Sequence, residues 1–134
     1  MWWAAVLLFL DAPISGVGLG NYHAAKQILI EQGIIRSDIK HFTYAHSEPL
    51  HYLAEMGLVG VISLLVFYCS GFWLVLKRMQ FNQQIAVMAF LVLMLRFDIS
   101  LTQVQFVYHY TTLLYAMMFA VLAGLMCNPH YQDH

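Results

Sequence analysis

Residues 57–76 read GLVGVISLLVFYCSGFWLVL, twenty residues without a charge. A helix needs about 20 apolar residues to cross roughly 30 Å of hydrocarbon. Lys77 and Arg78 close the run. Further along, IAVMAFLVLML (residues 85–95) is strongly apolar but short, and Arg96 and Asp98 interrupt it. A span over 83–100 is expected there, with Arg96 snorkelling to an interface or pairing with Asp98. YTTLLYAMMFAVLAGLMC (110–127) gives a third span, closed by Asn128 and Pro129 and followed by the polar tail HYQDH. The expected fold class is therefore an all-α integral membrane protein with three C-terminal transmembrane helices.

The composition agrees. Of the 134 residues, 61% are hydrophobic and 10% are charged. A soluble domain carries roughly 45–50% apolar and about 25% charged residues, which makes a water-soluble globule a poor fit. Disorder needs low hydrophobicity and high net charge, and so is excluded. The net charge is −1 and no basic stripe is present, which argues against nucleic acid as a partner. Cys69 and Cys127 lie in apolar runs and do not suggest a disulfide framework.

The first half reads differently. Met1–Leu10 is apolar but too short to span, and it opens on Trp2 and Trp3. Tryptophan favours the membrane–water interface, so an interfacial helix is expected. It lacks the positive n-region and small-residue cleavage site of a signal peptide. Residues 11–56 form a polar segment with a glycine cluster, a plausible helix over Tyr22–Gln32 and several histidines. Long insertions of this kind are usually functional or disordered, and this one is not low-complexity. Domain division is thus 1–56, interfacial helix and loop, and 57–134, three spans. Lys77 and Arg78 place the 77–84 link in the cytoplasm by the positive-inside rule. Residues 11–56 are then outside, which in a Gram-negative bacterium is the periplasm.

Three constellations in the polar segment could carry chemistry. Gly16, Gly18 and Gly20 alternate, which permits positive φ and close backbone approach. A dinucleotide fingerprint would need a preceding strand inside a βαβ unit, so a tightly packed structural turn is the better reading. His41, His46 and His51 are spaced by five, and His51 and Glu55 share a helical face. A zinc site there is the minor reading, because HExxH is absent. The third constellation is HSEPLHYLAEMGLVG (46–60). Ser47 suits an N-cap and Pro49 a first helical turn. Leu50, Leu53 and Ala54 have core-like spacing, and Gly57 and Gly60 thin the helix where it meets the membrane. His46 lies just outside that helix N-terminus. The positive end of the dipole keeps its ring neutral and able to accept a proton. The free N–H groups of the first turn suit a phosphate. Glu48 is read as a solvated first-turn carboxylate favoured by the same dipole. On spacing alone, a base beside a phosphate site and an ordinary histidine next to a capped helix both remain open.

The chain also resembles a known family. His46-Ser47, nine residues, then Gly57-x-x-Gly60 is similar to the His-(Asn/Ser/Gln)-x9-Gly-x-x-Gly pattern of bacterial O-antigen ligases. The superfamily also holds O-antigen polymerases and protein O-oligosaccharyltransferases. Upstream, MWWAAVLLFLDAPISGVGLGNY resembles the family's W-x-x-A…P-x-x-G-x-G-x-G-x-F/Y stretch. The resemblance covers roughly residues 1–76.

That resemblance implies a glycosyltransferase of the bacterial inner membrane. Its donor would be a glycan on undecaprenyl diphosphate. The acceptor would be a lipid A–core sugar, a growing glycan or a protein hydroxyl. No metal and no cofactor are implied. His46 matches the family's proposed base. Arg36 and Lys40 are the local candidates for holding the diphosphate, on charge alone. Family members are much longer, with many more spans, so the resemblance implies a C-terminal fragment, whose missing N-terminal spans could be supplied by another chain. A non-catalytic remnant of the same family is the alternative. The aromatic and methionine residues of the spans, such as Phe67, Tyr68, Phe72, Trp73, Met117 and Met118, are expected to pack or to face lipid.

Overall fold

In the computed structural model, residues 1–80, 83–104 and 109–128 are described. Pro129, the polar tail, part of the 77–84 link and the side chain of His109 lie outside them. Among the described residues every regular element is a helix: α1 (Trp2–Asp11), α2 (Tyr22–Glu31), a short 3-10 turn (Ser37–Ile39), α3 (Glu48–Arg78), α4 (Gln83–Thr102) and α5 (His109–Cys127). The last three are long and apolar enough to cross a membrane. The fold class expected from the sequence is the one found. The chain divides into two compact units, residues 1–65 with 100–104, and residues 66–99 with 105–134.

In the first unit, α1 stops where Pro13 follows, because the residue before a proline is pushed out of the helical region. Its Trp2 and Trp3 are exposed, and Ala4, Ala5 and Leu8 are buried. The core joins Ala5, Leu8, Tyr22, Ala45 and Ala54, with Val17, Ala25, Leu29 and Leu50 packed against it. α2 ends in a paired C-terminal motif. Gly33 N–H donates to the Ile30 carbonyl and Ile34 N–H to the Leu29 carbonyl, each at 3.0 Å. These bonds satisfy carbonyls that the helix end would otherwise leave bare.

α3 is not one continuous rod. Gly57 adopts φ 61° and ψ −147°, so the helix breaks there. This corrects the expectation that Gly57 only thins a continuous helix. The break receives the glycine turn. Val17 N–H donates to the Ala54 carbonyl and Gly18 N–H to the Glu55 carbonyl, both at 2.9 Å. In return, Leu58 N–H donates to the Pro13 carbonyl at 2.9 Å. The backbones approach so closely that side chains do not fit between them. A Cβ on Gly16 would lie 2.3 Å from the Glu55 carbonyl carbon, and one on Gly57 2.6 Å from Ile14 backbone. Gly60 fits against its own helix across the break, since a Cβ there would meet Met56 Cβ at 2.6 Å. Both glycine motifs thus serve a single joint.

Beyond the break, residues 58–65 continue the span with Leu58, Val59, Ile62 and Leu65 exposed, as a lipid-facing surface requires. The hydroxyl of Ser63 donates to the Val59 carbonyl at 2.8 Å. That leaves no bare polar group facing hydrocarbon at this position.

In the second unit, Val75, Ala86, Ala89, Leu93 and Met126 form the core, bordered by Phe72, Phe90 and Phe119. Gly71 lets Leu93 approach, with only 3.0 Å available for a Cβ. Phe72 and Phe90 meet edge-on at 5.9 Å. Lys77 lies 4.9 Å over the Trp73 ring, an aromatic and a cation stacked at the end of the span. Arg96 does not pair with Asp98. Residues two apart on a helix do not share a face. Arg96 is buried, its guanidinium 5.5 Å from the Tyr115 ring, and Asp98 is exposed.

The joint makes a graded prediction. Gly20 also has positive φ, but nothing lies within 4 Å of a Cβ placed there. Gly20→Ala should therefore cost only the left-handed strain of about 1–2 kcal/mol. Gly16→Ala and Gly57→Ala should cost clearly more, because backbone must also move. Chemical unfolding in detergent micelles would rank the three.

Candidate functional site

The histidine motif sits at the start of α3. Ala45 and Ser47 are buried on either side of His46, which is itself half-buried. His46 has φ 54°, and among the described residues it is the one non-glycine with positive φ. Histidine enters the left-handed region more readily than most residues, but the conformation is uncommon and is held by its surroundings. The His46 ring meets Phe42 edge-on, with centroids 5.6 Å apart. Ser47 precedes the first helical residue and its carbonyl accepts from His51 N–H at 2.9 Å.

Glu48 departs from the sequence reading. It is wholly buried rather than solvated. Its carboxylate stands in the first turn, where the helix dipole favours negative charge. The first turn of α3 thus already carries a buried carboxyl group of its own.

One turn further on, His51 and Glu55 meet as the spacing predicted, Nε2 to Oε1 at 3.5 Å. Both are buried. Tyr22 and Tyr44 pack edge-on against the His51 ring at 5.2 and 5.6 Å. Nδ1 of His51 finds no hydrogen-bond partner among the described residues. Glu55 Oε1 also accepts the backbone N–H of Tyr22 at 3.2 Å. Asn21 makes no side-chain cap, so Glu55 serves as a remote cap for the first turn of α2. Burial pushes the Tyr22 phenol up to about 12, and its hydroxyl donates to the Met1 carbonyl at 3.2 Å.

Lys26 was legible in the sequence only as one more loop charge. In the structure it is fully buried. Its Nζ donates to the carbonyls of Ile39 at 3.0 Å, Lys40 at 3.5 Å and Phe42. Burial draws its pKa below that of an exposed lysine.

The two cations expected to hold a diphosphate are outside this core. Arg36 and Lys40 are exposed, and Arg36 pairs with Asp38 at 3.0 Å. Arg36 also lines a cavity of about 280 Å³ whose walls include Met1, Trp3, Ala4, Ile35 and Ile39. A larger cavity of about 540 Å³ opens between α1 and α2, lined by Leu7, Leu10, Ile28 and Leu29 among others, and by none of the predicted site residues. The structure brings Gly16, Gly18 and Gly57 together at the joint. It does not assemble His41, His46 and His51. Among the described residues, no three histidine, cysteine, aspartate or glutamate side chains gather where a metal ion could sit.

Residues 1–65 match the family model described as O-antigen ligase. Over this stretch the chain is similar to the O-antigen ligase family. The ligase match ends at the residue where the main run of the first compact unit also ends. The joint, His46 and the His51–Glu55 pair all lie inside the matched stretch. No curated protein and no solved structure matches the chain.

The remote cap can be tested directly. Glu55→Leu strands the buried Tyr22 N–H and should cost about 1–3 kcal/mol. Glu55→Gln keeps an acceptor and should cost less. Unfolding midpoints of the two variants in detergent give the comparison, and equal costs would remove the cap from the account.

Proposed function

We propose that the chain is part of a membrane glycosyltransferase that moves a glycan from undecaprenyl diphosphate to a hydroxyl acceptor, with His46 as the base. The observation that carries this reading is the backbone of His46. Within the stretch similar to the ligase family, a half-exposed imidazole is held in a left-handed conformation between two buried neighbours. Uncommon backbone of this kind concentrates at functional sites. A neutral imidazole is also the commonest side chain for proton transfer near neutral pH.

The chemistry would run in one displacement. The acceptor O–H gives its proton to His46, and its oxygen bonds to the anomeric carbon of the donor sugar. The bond from that carbon to the diphosphate oxygen breaks, and the lipid diphosphate leaves with the electron pair. Because Glu48 occupies the first turn of α3, Arg36 and Lys40 are the better local partners for the leaving diphosphate. The Arg36 guanidinium lines a cavity that also has apolar walls, and an anion there would compete with Asp38 for it. In this reading α1 lies in the interface with Trp2 and Trp3 outward. Residues 11–56 then face the periplasm, and Lys77 and Arg78 face the cytoplasm of a bacterial inner membrane.

The test is complementation of cells lacking O-antigen ligase, scored by lipopolysaccharide ladders and glycoproteins on gels. His46→Ala should abolish transfer while membrane levels stay normal. His46→Asn is the matched control, since asparagine tolerates the left-handed backbone, and it should be equally inactive. Lost ladders support lipid A–core or glycan acceptors, and lost glycoprotein with intact ladders supports a protein acceptor. Normal transfer by both variants overturns the assignment of His46.

A further inference from the structure

We propose that Lys26 is a positioning residue for His46, acting through the loop of residues 39–42. The inference rests on the reading of His46 as the base and adds a residue to it.

Three acceptors, the carbonyls of Ile39, Lys40 and Phe42, surround one Nζ. They match the three protons of an ammonium group, whereas a neutral amine has only two. A buried cation is costly unless its protons are satisfied, so the loop must wrap Lys26 in this form for the domain to close. The wrapping grips three carbonyls between the last residue of the 3-10 turn, Ile39, and Phe42, a stretch that continues into neither helix nor strand. Gln27 Nε2 adds a second tie to the Lys40 carbonyl at 3.2 Å. The last carbonyl gripped belongs to Phe42, whose ring is the one that meets His46.

The grip therefore bears on the least relaxed backbone in the domain. A residue at φ 54° relaxes unless both sides are held. Downstream, buried Ser47 and Glu48 begin α3. Upstream, Lys26 holds Phe42, and Ala45 is buried. Without the lysine, the upstream clamp loses its anchor and the imidazole can turn away from the reacting hydroxyl. A shift of about 1 Å in a reacting group can cost on the order of a hundredfold in rate.

The experiment uses Lys26→Met, Lys26→Arg and Phe42→Leu in the membrane-embedded protein. The first readout is independent of turnover: the rate at which diethyl pyrocarbonate modifies His46, followed by mass spectrometry. Lys26→Met should raise that rate severalfold, and Lys26→Arg should restore it towards wild type. Phe42→Leu removes the ring contact but keeps the gripped carbonyl, so it should raise the rate even if Lys26→Met fails to accumulate. The second readout is transfer. Lys26→Met should lower kcat roughly a hundredfold with donor KM little changed. An unchanged modification rate in both Lys26→Met and Phe42→Leu overturns the inference. So does full transfer activity in Lys26→Met when His46→Asn is inactive, and then the base assignment stands alone. If His46→Asn transfers normally, the base assignment fails instead, while the modification rates still decide whether Lys26 orders His46.

Discussion

The first unit depends on backbone meeting backbone. The turn after α1 and the break in α3 exchange three hydrogen bonds, with no side chain between them. Only glycine allows that approach, because a Cβ at Gly16 or Gly57 would overlap the partner chain. Everything near His46 follows from this joint. It sets where the first part of α3 lies against α1 and α2. That placement carries Glu55 to the start of α2, and α2 in turn carries Lys26 beneath the loop that leads to His46.

Charge is used sparingly and mostly indoors. Lys26, Glu48, His51 and Glu55 are buried within a unit whose core is otherwise alanine, leucine and tyrosine. Their contacts have structural effects. Glu55 caps a helix it does not belong to, and Lys26 gathers the carbonyls of a loop that follows the 3-10 turn. The exposed Arg36–Asp38 pair contributes little to stability, as solvent-exposed pairs generally do.

Local features were readable in advance. The three long helices follow from long apolar stretches, although the helix that holds 57–76 already begins at Glu48. The pairing of His51 with Glu55 follows from four-residue spacing, which a helix enforces. Features that depend on distant chain segments were not. The sequence shows Gly57 in an apolar helix, and nothing nearby reveals that Pro13 and Ile14 will press on it. Glu48 reads as solvated because carboxylates usually are, and its burial is decided by packing. Lys26 carries no motif at all. Its role comes from a loop 13 to 16 residues away folding back over it. Arg96 and Asp98 look like partners in a string of letters, but a helix turns them apart.

The bond from Leu58 N–H to the Pro13 carbonyl also bears on how the protein is made. The break at Gly57 starts a fresh helical segment, and fresh segments begin with unpaired donors. Lipid offers those donors nothing. The acceptor that serves one of them lies 45 residues earlier in the chain. During synthesis it emerges first, so α1 and the glycine turn can already be in place when the span leaves the ribosome. Chain order and hydrogen-bond order run the same way, and the span meets its cap as it meets the membrane.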